Sequence, residues 1–404
     1  MNKQLIPSLL MLAWALTIGC STDRTDQPAS NQFMRVSEAL RVIAKTDDTE
    51  KRMNLVDTFW KSIKDTAMIP YTLEDTAIFL YRGEAGEVSW NGDFNSWGGD
   101  RQFDNEGKRI DSTDLWYLIK KFPEDARLDY KITLDGNRWI LDPNNPNQQW
   151  SGFGPNSELR MPEWQEAFYT NVDKKGTIDS FTINSNNLNY DVAYKVYKPF
   201  NYETHTNLPV LYVTDGHEYV DSRLGQIIKV ADHLVASEEV IPFMMVLIDP
   251  RNPADQSANR RQQEYTINSN YLSFVVDELV PMMDNQHKTA VNERGILGTS
   301  LGGLNASYFG AEKPAIFNLV AIQSPAYWYK TSIYDQVENA TQQPEKVIIT
   351  AGTFNDGLAN ARKMEVIYKN EGITPVFIEV NEGHSWGAWS QQLDDILIYL
   401  FPKN

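Results

Sequence analysis

Apolar residues recur three and four positions apart from about Val36 to Ile69, where Ala39, Leu40, Ile43, Met53, Val56, Phe59, Trp60 and Ile63 stand among charged neighbours. That spacing predicts a helical packing element over 36–69. The period then falls to two. Ala77 to Tyr81, Val88 to Trp90, Trp116 to Ile119 and Leu128 to Ile132 are short alternating runs separated by Gly-, Asp- and Asn-rich turns. Such runs predict a small immunoglobulin-like β-sandwich over 70–160. The stretch from Asp142 to Pro162 is rich in Pro, Asn and Gly, has no regular period, and reads as the junction to the next domain.

From 161 to 404 the pattern changes again. Strand-like runs at Gly176 to Ile183 and Val192 to Tyr197 precede near-continuous apolar runs at Leu208 to Thr214, Phe243 to Ile248, Gly295 to Gly298 and Lys346 to Thr350. A strand covered on both faces reads this way, so a parallel sheet flanked by helices is expected. Helices are expected near Leu224 to Ala236, Tyr271 to Met283 and Leu301 to Phe309, with a last strand at Val376 to Val380 and a final helix from Gly387 to Leu400. The overall class is α/β, preceded by the sandwich.

The first twenty residues predict targeting rather than fold. Lys3 precedes an apolar run from Ile6 to Leu16, and Leu16-Thr17-Ile18-Gly19-Cys20 is similar to a bacterial lipoprotein cleavage box. Cys20 is the expected lipidation site and 21–35 a flexible tether, which implies export to the cell envelope, periplasmic or surface-exposed, with a lipid anchor as the only membrane attachment. The chain has one cysteine, so no intrachain disulfide supports it. A formal charge of -17 disfavours nucleic acid and anionic lipid as partners. A neutral or weakly charged small-molecule or polysaccharide-linked ligand fits better, though an anionic one stays open because a local Arg cluster can outweigh the global field. Scattered carboxylates such as Glu50, Asp75 and Asp93 read as solvated surface groups.

The chemistry concentrates in Gly298-Thr299-Ser300-Leu301-Gly302, after one apolar strand and before a helix. A strand-to-helix turn tight enough to raise a serine hydroxyl leaves no room for side chains two residues to either side, which is the logic of a nucleophile elbow. Ser300 is therefore the candidate nucleophile, and the backbone N–H of Leu301 a candidate oxyanion donor. In the α/β-hydrolase order the acid follows, then the histidine. His384 lies after the last strand in Asn381-Glu382-Gly383-His384-Ser385-Trp386, and Asp356 lies after the preceding one, with Glu382 and Glu379 as further acid candidates. Asp356 also fits an N-cap for a helix near Leu358, and His384 a cap for the last helix. The second oxyanion N–H is expected from Gly216 or His217, after Leu211 to Val213. No motif for a metal or organic cofactor is present, and acyl transfer by such a triad needs neither.

Around these residues the chain resembles the esterase family that includes enterochelin, feruloyl and acetylxylan esterases and is related to esterase D. Leu211 to Gly216, Arg261-Gln262-Gln263-Glu264-Tyr265, Glu278 to Pro281 and Asn381 to Trp389 carry the likeness. Trp90 to Trp97, Leu115 to Tyr117, Tyr130 to Ile132 and Leu141 to Pro143 resemble the early-set sandwich found before such catalytic domains and related to glycogen-binding modules. The resemblance implies a serine carboxylic-ester hydrolase. Feruloyl or acetyl esters of carbohydrate are the expected substrates, with Trp328, Trp386 and Arg261 as candidate pocket residues. A siderophore esterase is the alternative, in which Arg251, Arg260 or Arg261 would meet a ferric catecholate. Trp90, Trp97 and Trp116 could stack on sugar or serve as core. A noncatalytic glycan-binding envelope protein is a third reading, and a full set of triad candidates in the right order argues against it.

Overall fold

The computed structural model describes residues 29–66 and 68–403, so the expected leader 1–20 with Cys20, and most of the expected tether 21–35, lie outside the described residues. The 36–69 segment forms two helices, Ala29–Ala44 and Thr49–Thr66. The first takes in residues 29–35, which the sequence assigns to the tether; no Gly or Pro follows Pro28, so nothing halts the helix as it extends backward.

Alternation explains how these helices sit. On the strand Thr76–Arg82, Ala77, Phe79 and Tyr81 face a sandwich core containing Trp90, Trp116, Leu128 and Tyr130. Ile78 and Leu80 face the other way, onto Val36, Leu40, Ile43, Val56, Phe59 and Ile63 of the two helices. The helices thus cover one outer face of the sandwich. Trp90 and Trp116 are buried and belong to this core. The stretch expected to be an aperiodic junction instead forms a hairpin, Gln148–Ser151 paired antiparallel with Gly154–Arg160. Its polar strands hide the period because half of their residues face solvent or the neighbouring domain.

The second domain is an α/β hydrolase sheet. In chain order its strands are Thr177–Ser185, Tyr190–Lys198, Leu208–Val213, Met244–Asp249, Thr289–Thr299, Leu319–Gln323, Lys346–Phe354 and Val376–Gly383. In space the third and fourth exchange places; the first two strands run antiparallel and the rest parallel. Val210, Tyr212, Val246, Ile296, Val320 and Ile349 point to one face, beneath the helix Leu301–Glu312 and the Ser269–Gln286 segment. Leu211, Val213, Met245, Leu247, Leu297 and Ile348 point to the other, against the helices Ile227–Ala236 and Leu393–Leu400. With both faces covered, alternation becomes a continuous apolar run.

Two expected helices are broken. The 271–283 region passes through a π-helical turn at Phe274–Leu279, and the C-terminal helix divides into Trp386–Gln391 and Leu393–Leu400. The two domains share one sheet: Glu382, at the end of the last hydrolase strand, pairs in parallel with Arg127 on the sandwich strand Arg127–Leu134. This junction lies two residues from His384.

Candidate active site

Three loops at the carboxyl ends of parallel strands converge. The first is the turn at Ser300, which has φ 59° and ψ -116°, a conformation L residues rarely adopt and one that costs about 1–3 kcal/mol. The turn survives because its neighbours lack side chains: a Cβ at Gly298 would lie 2.3 Å from the Gly302 carbonyl oxygen and 2.4 Å from Thr214 Oγ1. A Cβ at Gly302 would lie 2.5 Å from the same Thr214 hydroxyl.

Ser300 Oγ donates to His384 Nε2 at 2.9 Å, and His384 Nδ1–H donates to Asp356 Oδ1 at 2.5 Å. Asp356 is buried, and its second oxygen accepts from Ser324 Oγ at 2.6 Å and Gly352 N–H at 2.5 Å. Asp356 caps nothing: Gly357, at φ 72°, starts the helix Leu358–Asn370, which has no side-chain cap. Nor does His384 cap the C-terminal helices: Ser385 is the N-cap of Trp386–Gln391 and Gln392 that of Leu393–Leu400. The other acid candidates are occupied elsewhere. Glu379 pairs with Arg362 at the surface, and Glu382 accepts from Trp164 Nε1 at 3.2 Å. Burial, partly offset by Arg127, pushes the Glu382 carboxyl up to about 7.

Leu301 opens the helix Leu301–Glu312, while Gly216 and His217 open Gly216–Val220; the N–H groups of all three lack protein acceptors among the described residues. Gly216 packs so closely on the neighbouring strand that a Cβ there would sit 2.4 Å from the Leu247 carbonyl carbon. The His217 imidazole turns away from Ser300 into a separate cavity of about 390 Å³ and approaches Asp249 to 3.4 Å.

Arg261 does line the cavity at Ser300, but its charge is already engaged. Its Nε donates to both oxygens of fully buried Asp215 at 2.8 Å, and Nη2 donates to the Thr299 carbonyl at 3.0 Å. It therefore ties the Gly216 loop to the serine turn. Arg251 is held by Asp249 at 2.9 and 2.7 Å, and Arg260 lies 3.9 Å over the Tyr190 ring. An arginine cluster open to a catecholate is therefore not formed by these three.

Trp386 is a pocket wall, as the sequence suggests, with its Nε1 donating to Glu218 at 3.2 Å. Trp328 is not: it is 66% exposed and lies outside this cavity, because the turn after Pro325 carries its ring outward onto Tyr329. The opposite wall comes from the sandwich. Asp93, Trp97, Asp129, Lys131, Trp139, Phe153 and Asn156 line the same cavity of about 630 Å³ as Ser300 and His384. The rings of Trp97 and Trp139 are 6.4 Å apart at 31°, and Phe153 at the hairpin tip is fully exposed. Burial first, and then Asp215, pushes the Glu218 carboxyl to about 7. Of the site residues that sequence reasoning missed, Ser324 stands in a segment noted only for Trp328, and Arg127 and Trp139 gave no local signal, because their roles depend on domain packing. Asp93, which the sequence reads as a solvated surface carboxylate, is instead buried, accepting from Asp129 N–H at 2.8 Å and Trp97 Nε1 at 3.2 Å.

Strand order, serine turn and converging loops define an α/β hydrolase. The model of the family described as "Putative esterase" matches residues 185–400, and the chain belongs to that family. Among curated relatives, the Bacillus subtilis protein YjcH is 29% identical over 232 residues, covering 54% of this chain and 94% of that protein. Among solved structures, the enterobactin esterase FES from Shigella flexneri, in the presence of enterobactin, superposes with a TM-score of 0.67 at 19% identity, covering 80% of this chain and 92% of that one. Ferric enterobactin esterase from Salmonella typhimurium gives 0.67 at 17% identity, covering 80% and 93%. The shared fold therefore extends beyond the 185–400 segment.

Proposed function

We propose that the protein is a serine esterase that acts through an acyl-enzyme on feruloyl or acetyl esters of carbohydrate. Ser300 Oγ attacks the ester carbonyl carbon while His384 Nε2 takes its proton. Asp356 fixes the imidazole tautomer and balances the imidazolium. The carbonyl oxygen, now negative, is received by the N–H of Leu301 and that of Gly216 or His217. His384 then protonates the departing alcohol oxygen, the C–O bond breaks, and water attacks the acyl-enzyme by the same route reversed.

The observation that carries the substrate class is the cavity wall. Aromatic rings at Trp97, Trp139 and Trp386 stand beside Asp93, Asp129, Glu218 and Asn156, while Arg261 is neutralised by Asp215. Flat apolar faces beside acceptor-rich carboxyls suit a neutral ring bearing hydroxyls. Lys131 is the one lining cation without an ion-pair partner among the described residues, too little positive charge to hold a multiply charged anion. The fold shared with enterobactin esterases keeps a siderophore ester as the competing substrate.

Turnover of feruloylated and acetylated sugars should exceed that of catecholate siderophore esters at least tenfold in kcat/KM, and Ser300→Ala should abolish both. Preference for the siderophore esters would overturn the substrate assignment and leave the serine mechanism standing. Binding of glycan with no turnover of any ester would instead support a noncatalytic protein.

Export and lipidation at Cys20 form part of the proposal, resting on the leader pattern alone. No helix among the described residues is long and apolar enough to cross a membrane. Fatty-acid labelling of wild-type chain but not of Cys20→Ala is the expected result.

A further inference from the structure

The sandwich does more than line the cavity. Arg127, on the sandwich strand Arg127–Leu134, is completely buried at the end of the loop that carries His384. Its backbone pairs with Glu382, and its Nη1 donates to Ser385 Oγ at 3.0 Å. The guanidinium lies against the backbone of Gly387 so closely that a Cβ there would stand 1.9 Å from Cζ. On the other side of the histidine, a Cβ at Gly383 would stand 2.1 Å from Cγ of Asp93, also a sandwich residue. The two glycines flanking His384 are thus seats for two side chains of the accessory domain. Arg127 is itself fixed, with Nε donating to Glu158 at 2.7 Å and Nη2 meeting Asp129 at 2.6 Å.

We propose that Arg127 is a positioning residue for the catalytic histidine, so that the sandwich completes the active site by holding the His384 loop in the geometry that reaches Ser300. The inference rests on the serine-esterase reading. A rigid fork with several fixed bonds transmits position better than a flexible ammonium, which is why a lysine at this place should not suffice. The imidazole must hold its place to within about 0.5 Å of the productive geometry, and a loop displaced by about 1 Å can cost on the order of 10²-fold in rate.

The test uses full-length protein and p-nitrophenyl acetate, a substrate too small to depend on contacts with the sandwich. Active sites are titrated with an alkyl fluorophosphonate carried to completion, so that kcat refers only to folded, reactive molecules. Arg127→Lys should lower kcat per titrated site by about 10- to 100-fold with KM within threefold of wild type. Ser385→Ala, which removes one bond to the arginine, and Gly387→Ala, which pushes the arginine off its seat, keep the test alive should Arg127→Lys not fold. The first should lose severalfold and the second about tenfold or more. Wild-type kcat per site in both would overturn the proposal, because a purely structural arginine changes how many molecules fold and not how fast each turns over. If the wild-type protein takes up no phosphonate, or Ser300→Ala retains full activity, the serine reading itself has failed.

Discussion

Ser324 Oγ donates to Oδ2 of Asp356 at 2.6 Å, and the same hydroxyl accepts from Trp389 Nε1 at 2.8 Å. The Trp389 ring also stands edge-on to the His384 imidazole, with centroids 4.9 Å apart at 90°. The acid and the base are therefore braced by one tryptophan reached through one serine. Ser324→Ala should lower kcat about tenfold with little change in KM, as expected when a group that orients the acid is lost. Steady-state kinetics on a small ester, normalised to titrated sites, checks this.

Asp356→Asn should be far more severe, on the order of 10⁴-fold in kcat, because an amide can donate toward Nδ1 and favour the wrong tautomer. Unfolding midpoints measured beside the kinetics should move little, which separates this effect from general damage.

The Arg261–Asp215 pair supports a stability prediction. Asp215 is fully buried, and Arg261→Met would leave its carboxylate without its ionic partner. Breaking a buried pair from one side costs about 3–5 kcal/mol. Urea unfolding of the variant should show a loss of that order, and Arg261→Lys a smaller one.

Trp139 is nearly half exposed on the cavity wall, facing Trp97. Trp139→Ala should raise KM for a feruloylated oligosaccharide about 3- to 10-fold while leaving p-nitrophenyl acetate hydrolysis unchanged, since only the larger substrate extends to the sandwich. Equal effects on both substrates would remove the sugar from that wall.

Stability should fall as pH rises from 6.5 to 8. Burial raises Glu218, Glu264 and Glu382 to about 7 each, from an ordinary 4.5. The folded chain keeps protons that the unfolded chain has already released, so this contribution is full below 4.5 and lost as pH passes through 7. The expected loss is on the order of 1 kcal/mol per group across that window. His217 and His287, lowered by burial, act in the opposite sense, but below their ordinary 6.5. Thermal unfolding at pH 6.5 and 8.0 gives the sign directly.

Much of this architecture was legible before the structure because local patterns and tertiary environment agree. The buried parallel strands are apolar along their whole length, and the serine turn announces itself through glycines required by steric contact. Residues 142–162 misled because a polar hairpin carries little hydrophobic alternation. Trp328 misled because an aromatic near a catalytic loop can point either way, and the loop's path decides. Asp93 misled because a lone carboxylate in a polar turn reads as solvated, whereas domain packing buries it. Arg127 and Trp139 carried no signal, since nothing near Arg127 in sequence indicates that its guanidinium will rest on Gly387, 260 positions later.

The central claim is that Ser300 forms a covalent acyl bond under the control of His384. Intact-mass analysis after exposure to an alkyl fluorophosphonate, followed by peptide mapping, measures this directly. The expected result is a single adduct on Ser300 in the wild-type chain, none in Ser300→Ala, and labelling slowed by about 10³-fold or more in His384→Ala. Ester hydrolysis persisting at the wild-type rate in Ser300→Ala, or a stoichiometric adduct on another residue, would contradict it.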